Sequence, residues 1–596
     1  MKQRELTTTL LGYVGAVTGS TIRVFQSPSV ASSPANIGGE NHLTGQVGSF
    51  VRIPQGHHNL YGIVCEVDAS TTPAALLNEH ERGEIWVSVQ LVGEMAGDHF
   101  ERGISRFPCI NDEVHLVTEE DLAKIYGDRT SGQICVGKLA HAENIKVSVD
   151  LDKLVTRHCA VLGSTGSGKS TTVTSLLRSI AESTIGQDFP SSRILLIDIH
   201  GEYGNALKSV SSVFRVNPRQ GEHPLHIPFW ALDPIDLLPF LLGKVDDKPL
   251  TQILDHILDL KNDRVSGVPI KGTDSVSITT SSPIPYSLKR LWFELLEPEI
   301  KTWYDVASTS PAIIDPGDIN TLKPPKYKPQ GAASTSPFVN TLGVLGVKKQ
   351  LDQMRSRLLD KQYDFLLHPG PWEPDQNGNA EKDLPELLEA WMGHSKPITI
   401  LDLSGIPSPV LVRLIGAILK IIYEALFWSR DKPEGGIQRP LLVVMEEAHR
   451  YLSNDHDGSA RTMVQRIVKE GRKFGIGAMI VSQRPSEVDE TILSQCGTFI
   501  TLRLSNIADR AKIQATLPDN LAGIIDSLSV LRTGEAIITG EAARLPIRCR
   551  ITPPPEDQRP DSEDPKVSKN WKKPRREENY EDVAAAWRSQ DPSWSD

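Results

Sequence analysis

AVLGSTGSGKSTTVTSLLRSI, residues 160–180, decides the fold of this chain. It reads as apolar strand, glycine-rich turn and helix, and Gly163 to Ser170 completes the pattern G-x-x-x-x-G-K-S. The backbone N–H groups of such a turn and of the helix N-terminus behind it converge on one spot, which suits phosphate oxygens. Lys169 is then placed to reach the β and γ phosphates of a nucleoside triphosphate, with ATP the expected one, and Ser170 to give its hydroxyl to Mg2+. A plain glycine turn is the competing reading, and the strand before it and helix after it weigh against that. Gly163, Ser164, Thr165, Gly166, Ser167, Gly168, Lys169, Ser170 and Thr171 are the expected nucleotide contacts.

Outward from this loop, other apolar runs end in polar residues. LLVVMEEAHR, residues 441–450, delivers Glu446 and Glu447 at a strand end. In open α/β sheets ligands sit beyond the carboxyl ends of the strands. Glu446 is the candidate for the Mg2+ shell and Glu447 for the general base that polarises water. Taken singly, such a pair is more often a solvated strand end; beside the glycine loop, function is the better reading. RILLIDIHGEY, residues 193–203, ends with Asp198, His200 and Glu202, further candidates for the nucleotide site, and GAMIVSQRP, residues 477–485, ends with Gln483, suited to sense the γ-phosphate or orient water. Arg472, in EGRKFGIG, reads either as a cation at a helix C-terminus or as an arginine finger for a neighbouring subunit. Arg466, Lys469 and Lys473 have the spacing of one helix face, which reads either as a solvated charged face or as a phosphate contact for DNA.

Continuous apolar strands alternating with helices predict a parallel sheet covered on both faces. Short β-rich runs from Tyr13 to about Val117, punctuated by turn residues, predict a small N-terminal β-barrel or sandwich. The expected division is a β-barrel at 1–125, an α/β core at 133–261 and 396–552, a helical insertion at 262–395, and a polar tail at 553–596. Within the insertion, 265–285 and 305–340 are rich in Pro, Ser, Thr and Ala and read as loops or mobile linkers. The tail carries one expected helix, at 580–588.

The chain has 596 residues, too many for one core, with 39% hydrophobic and 23% charged residues and a net charge of -11. That balance excludes a diffuse basic coat, so a nucleic-acid site has to be local. Six scattered cysteines form no zinc-ligand pattern. The run 414–428 is too short to span a membrane and contains Lys420 and Glu424. A cytoplasmic protein without a membrane segment is the expectation.

Taken together, GSTGSGKS, IDIHGEY, VVMEEAHRYL, EGRKFGIGAMIVSQRPSEVDETILSQCGTFITLRLSN and LRTGEAIITG resemble the HerA branch of the HerA/FtsK ATPases. The Glu-Glu-Ala-His form, unusual where Asp more often stands first, is what that branch carries. The resemblance implies a RecA-like P-loop ATPase core with a small N-terminal barrel similar to that of rotary ATP synthases. It implies a homohexameric ring that translocates double-stranded DNA at the expense of ATP with Mg2+, often with a partner nuclease or NADase effector, in DNA-end processing or anti-phage defence. It also implies that Lys169, Ser170, Glu446, Glu447 and Gln483 form the in-subunit site, that Arg472 acts in trans, and that Arg157, in TRHCAVLGSTGSGK, lies near the nucleotide; a plain surface arginine is the equal alternative for Arg157. A ring scaffold that assembles an effector with little translocation of its own is the second reading, and a conjugation or secretion ATPase the third.

Overall fold

The computed structural model describes residues 9–27, 35–37, 40–42, 46–69, 85–97, 99–127, 132–140, 142–182, 189–273, 277–332, 336–453, 458–516, 525–561, 567–573 and 580–589. At the N-terminus, strands alternate inward and outward residues at the two-residue period of a pleated strand. They are β1 (Leu10–Thr18), β2 (Thr21–Gln26), β3 (Phe50–Gln55), β4 (His58–Ala69), β5 (Ile85–Ala96), β6 (His99–Arg102) and β7 (Glu113–Leu116). The order is β2-β1-β7-β3-β4-β5-β6, and β2 also pairs with β5, so the sheet closes into a barrel with β6 appended. Its interior is aliphatic: Leu11, Val14, Ile22, Val24, Val51, Ile53, Val87, Val89 and Val114 are buried together. Closure leaves no long exposed sheet edge.

Apart from three two-stranded pairs, the remaining described strands form one 12-stranded sheet. They are β8 (Gln133–Leu139), β9 (Ala142–Asp150), β10 (Cys159–Leu162), β11 (Ile194–Asp198), β12 (Ser211–Arg215), β13 (Ile398–Asp402), β14 (Leu441–Met445), β15 (Ile476–Ser482), β16 (Thr498–Thr501), β17 (Glu535–Gly540) and β18 (Ile547–Ile551), with the two-residue His223–Pro224 at one end. The order is β9-β8-β18-β17-β16-β10-β15-β14-β11-β13-β12, parallel from β16 to β12 and antiparallel from β9 to β16. The continuous apolar runs follow from burial on both faces: Ala160 and Leu162 join one core cluster, Cys159 and Val161 the other. The fold is α/β, as expected. Because the central strands are parallel, all their carboxyl ends lie at one edge of the sheet.

The helical insertion begins earlier than 262, with Pro234–Leu242 and Asp247–Gly267, and continues through Leu288–Ile300 and Lys348–Leu358. It has no separate core; Trp230, Ile257, Trp292 and Met354 belong to the cluster that covers one face of the sheet. The described parts of 265–285 and 305–340 are largely loops, the first of the two expected readings, and they are anchored to the fold. Lys261, fully buried, donates to the carbonyls of Thr280 and Ser282 at 2.6 and 2.7 Å, and Thr302–Trp303 pairs with Phe338–Val339. A buried donor thus satisfies carbonyls of the first loop. The tail also starts attached: the Asp561 N–H donates to the Glu202 carbonyl at 2.9 Å, and Asn205 donates to its carboxylate at 2.6 Å. Its later helix spans Tyr580–Ser589. No helix among the described residues is long and apolar enough to cross a membrane; Ser408–Trp428 instead packs into the core.

Candidate nucleotide site

The phosphate loop follows β10 and ends in the helix Lys169–Ala181. Gly166 and Gly168 have φ of 74° and 94°, where a side chain is strained. At Gly163, a Cβ would fall 2.5 Å from Ser167 Oγ and 2.9 Å from Leu502 Cβ, so packing excludes one. The helix has Gly168 as N-cap and no side-chain cap, which leaves its first amides available to an anion. Arg503 and Thr533 approach the Gly166 carbonyl at 3.5 and 3.4 Å, and the Gly534 N–H donates to the Ser167 carbonyl at 3.0 Å.

Three strand ends meet this loop. From β14, Glu447 reaches Lys169 Nζ at 2.6 Å, with Glu446 at 4.0 Å. From β15, between β10 and β14 in the sheet, Gln483 Oε1 accepts from Thr165 Oγ1 at 2.6 Å. From the turn after β11, Glu202 accepts from Ser170 Oγ at 3.0 Å. Ser170 is thus in contact with Glu202, while Glu446 turns one oxygen to the Tyr203 hydroxyl at 2.9 Å. Glu447 itself adopts a left-handed backbone, φ 47° and ψ 44°, unusual for a non-glycine residue and of the kind that clusters at functional sites.

Burial sets the electrostatics. The Glu446 carboxyl is pushed up to about 8 by burial, against the pull of Lys169 and with the charge of Glu447 adding to the rise. Asp198 is pushed up to about 7 by burial and by Asp402 on the adjacent strand. His449 is lowered by burial, so its imidazole is neutral at neutral pH. The Ser167 hydroxyl and Glu447 Oε2 are buried with no hydrogen-bond partner among the described residues. A lysine, a serine hydroxyl, an uncapped helix start and unused buried oxygens fit a triphosphate with Mg2+.

Two candidates from the β11 strand end have other work. Asp198 accepts the N–H groups of His200, Gly201 and Tyr203 at 3.2, 2.8 and 3.0 Å, so both its oxygens shape the turn that presents Glu202 and Tyr203. In the state described both oxygens are thus engaged within the chain. His200 is exposed and lies 3.4 Å from Arg450. Sequence reasoning missed Tyr203, Tyr451 and His449. Tyr451 donates to the Glu446 carbonyl at 3.0 Å, and His449 stands 3.2 Å from Glu447 Oε2. The only sequence signal for them was their place inside IDIHGEY and EEAHRYL.

The cations before β10 and β15 lie elsewhere. Arg157 precedes β10 and Arg472 sits in the short turn Gly471–Phe474 before β15, so both mark the amino edge of the sheet. The length of β15, about 20 Å at the usual rise per residue, separates Arg472 from Gln483. Neither arginine reaches its own chain's phosphate loop. Arg157 pairs with Glu541 at 3.6 Å within the chain, in keeping with the alternative of a plain surface arginine before the strand. The expected shared face of Arg466, Lys469 and Lys473 also breaks: the helix is Ser459–Glu470, and Lys473 lies beyond it. Arg466 stacks on Tyr423, 4.3 Å from the ring centroid, and pairs with Glu424 at 3.3 Å, whereas Lys469 and Lys473 are exposed.

A parallel sheet with a phosphate loop, a buried glutamate on the strand two places away that meets the loop's lysine, and a glutamine on the strand between them that meets the loop's threonine is the arrangement of a P-loop ATPase. The family profile for "Helicase HerA, central domain" matches residues 134–422, and that for "Helicase HerA-like C-terminal" matches 411–554. The chain belongs to the HerA family of ATPases. It is 26% identical over 487 residues to the DNA double-strand break repair helicase HerA of Sulfolobus acidocaldarius, covering 80% of each chain. Against the protein of the same name from Pyrococcus furiosus it is 26% identical over 507 residues, covering 79% of this chain and 78% of that one. Among solved structures, VirB4 of Thermoanaerobacter pseudethanolicus aligns with a TM-score of 0.45 and 16% identity over 72% of this chain and 99% of that one. The plasmid coupling protein TrwB in complex with ADP and Mg2+ aligns with a TM-score of 0.41 and 14% identity over 74% and 93%.

Proposed function

We propose that this chain is the subunit of a homohexameric ring motor that hydrolyses ATP with Mg2+ to translocate duplex DNA, in company with a nuclease or NADase effector in DNA-end processing or anti-phage defence. The observation that carries this reading is the split between the two sheet edges: Lys169, Glu447, Gln483 and Ser170 stand at one, Arg472 at the other. A ring that sets the amino edge of one subunit against the carboxyl edge of the next completes the site with Arg472. The curated relatives named as DNA double-strand break repair helicases support duplex DNA as the track.

Within the site, Lys169 and Glu447 neutralise each other before nucleotide arrives. Breaking a buried pair without replacement costs roughly 3–5 kcal/mol, so phosphate oxygens have to take the place of Glu447 on Lys169. Glu447 is then free to orient and polarise water, and Gln483 exchanges Thr165 for the γ-phosphate or that water. The Ser170 hydroxyl, with Glu446 or Glu202 behind it, would hold Mg2+, which when bound would supply charge neutralisation to the triphosphate. The test measures ATP turnover of the purified oligomer with and without blunt duplex DNA, with its mass in solution. A hexamer stimulated by duplex DNA supports the reading; a monomer, or turnover indifferent to DNA with and without the effector, overturns it.

A further inference from the structure

His449 is buried on the short turn Ala448–Arg450 that follows Glu447. Its Nδ1 lies 3.2 Å from Glu447 Oε2 and 3.4 Å from Ser482 Oγ, and Ser482 Oγ accepts the Arg484 N–H at 3.1 Å. The imidazole therefore bridges the end of β14, which carries the general base, and the end of β15, which carries Gln483. A bare Nδ1 lone pair beside a carboxylate would be repelled, which places the proton on Nδ1; in the state described Glu447 Oε2 still lacks a hydrogen bond, so Nδ1–H stands 3.2 Å away with that acceptor unused.

The other oxygen of Glu447 is held by Lys169 only in the state described, because phosphate competes for that lysine. Once Lys169 turns to phosphate, the contact with His449 is what remains to fix the carboxylate. The left-handed backbone at Glu447 gives a further reason for a second restraint, since that conformation persists only where the surroundings over-determine it. We propose that His449 is a positioning residue that holds Glu447 in register with the Gln483 strand end during hydrolysis, through Nδ1–H shared between Glu447 and Ser482. This rests on Glu447 being the general base.

Four full-length variants test it by steady-state ATP turnover and by equilibrium binding of a non-hydrolysable ATP analogue, with Glu447→Gln as reference. His449→Ala is expected to lower kcat by about tenfold to a hundredfold, the scale of a misplaced catalytic group, with analogue affinity within about threefold of the parent. His449→Asn, which keeps an N–H near the Nδ1 position, is expected to recover much of that loss, and Ser482→Ala to lose severalfold in kcat. Wild-type kcat in His449→Ala beside an inactive Glu447→Gln overturns the positioning role alone. Wild-type kcat in Glu447→Gln overturns the general-base assignment beneath it. If His449→Asn is no better than His449→Ala, or analogue binding falls as far as kcat, His449 serves packing and the proposal fails.

Discussion

The carboxyl and amino edges of the central sheet are built on opposite principles. At the carboxyl edge most polar groups are engaged within the chain: buried Lys169 by Glu447 and buried Glu446 by Tyr203, half-buried Ser170 by Glu202, and exposed Thr165 by Gln483, while the Ser167 hydroxyl and Glu447 Oε2 are buried and unpaired among the described residues. At the amino edge the corresponding cations stand in solvent; Arg472 and Lys473 are exposed, and the Arg157 side chain keeps 45% of its surface despite Glu541. Buried and paired groups form a site that is set before substrate arrives, at the cost of holding Glu447 on the wrong partner. The exposed Arg472 and Lys473 before β15 show no such internal commitment among the described residues and are available to another molecule. The contrast is that of a nearly complete catalytic half-site and a surface that waits for one.

The sharpest way to break this contrast is Arg472→Ala. If the amino edge completes a neighbour's site, kcat of the oligomer falls by about a thousandfold, the lower end of what an arginine finger contributes. Mixing that variant with Lys169→Ala then restores turnover that neither has alone, because an intact loop meets an intact finger at some joints. Equal turnover before and after mixing would show that the two edges never meet. Glu447→Gln probes the carboxyl edge alone: kcat is expected to fall by about a hundredfold or more while ATP stays bound, measured by filter retention of labelled nucleotide. Tyr203→Phe removes one hydrogen bond from Glu446, a loss of about 1 kcal/mol in support of that strand end, and kcat is expected to fall only severalfold.

What was legible beforehand follows from how local each feature is. The phosphate loop is contiguous, and its strand-turn-helix context is written within 160–180, so both motif and fold class could be read directly. Glu447 and Gln483 were readable because parallel strands place all their carboxyl ends at one edge. The link from Tyr203 to Glu446 spans 243 positions and leaves no local pattern. That Asp198 closes its own turn was not legible, because such a carboxylate is, in sequence, indistinguishable from one that faces a ligand. The helix through Arg466 ends at Glu470, and the next residue, Gly471, packs where a Cβ would come within 2.8 Å of the Ile476 carbonyl, a close approach no periodicity announces. Segment 265–285 looked like a linker because its anchor, Lys261, lies outside it.

The smallest effects divide the cations near the amino edge by their commitment. Arg466 is spent on Tyr423, Glu424 and Glu470, so Arg466→Ala is expected to cost about 1 kcal/mol of stability, discounted because its side chain is 41% exposed, and to leave DNA response unchanged. Lys469 and Lys473 have no such packing. If this edge follows a nucleic-acid backbone, Lys469→Gln with Lys473→Gln reduces the slope of log affinity for duplex DNA against log salt by about 1 to 2 and leaves thermal unfolding in place. An unchanged slope in the double variant would confine the amino edge to contacts between subunits, and the search for the DNA track would move to the other exposed lysines of the ring.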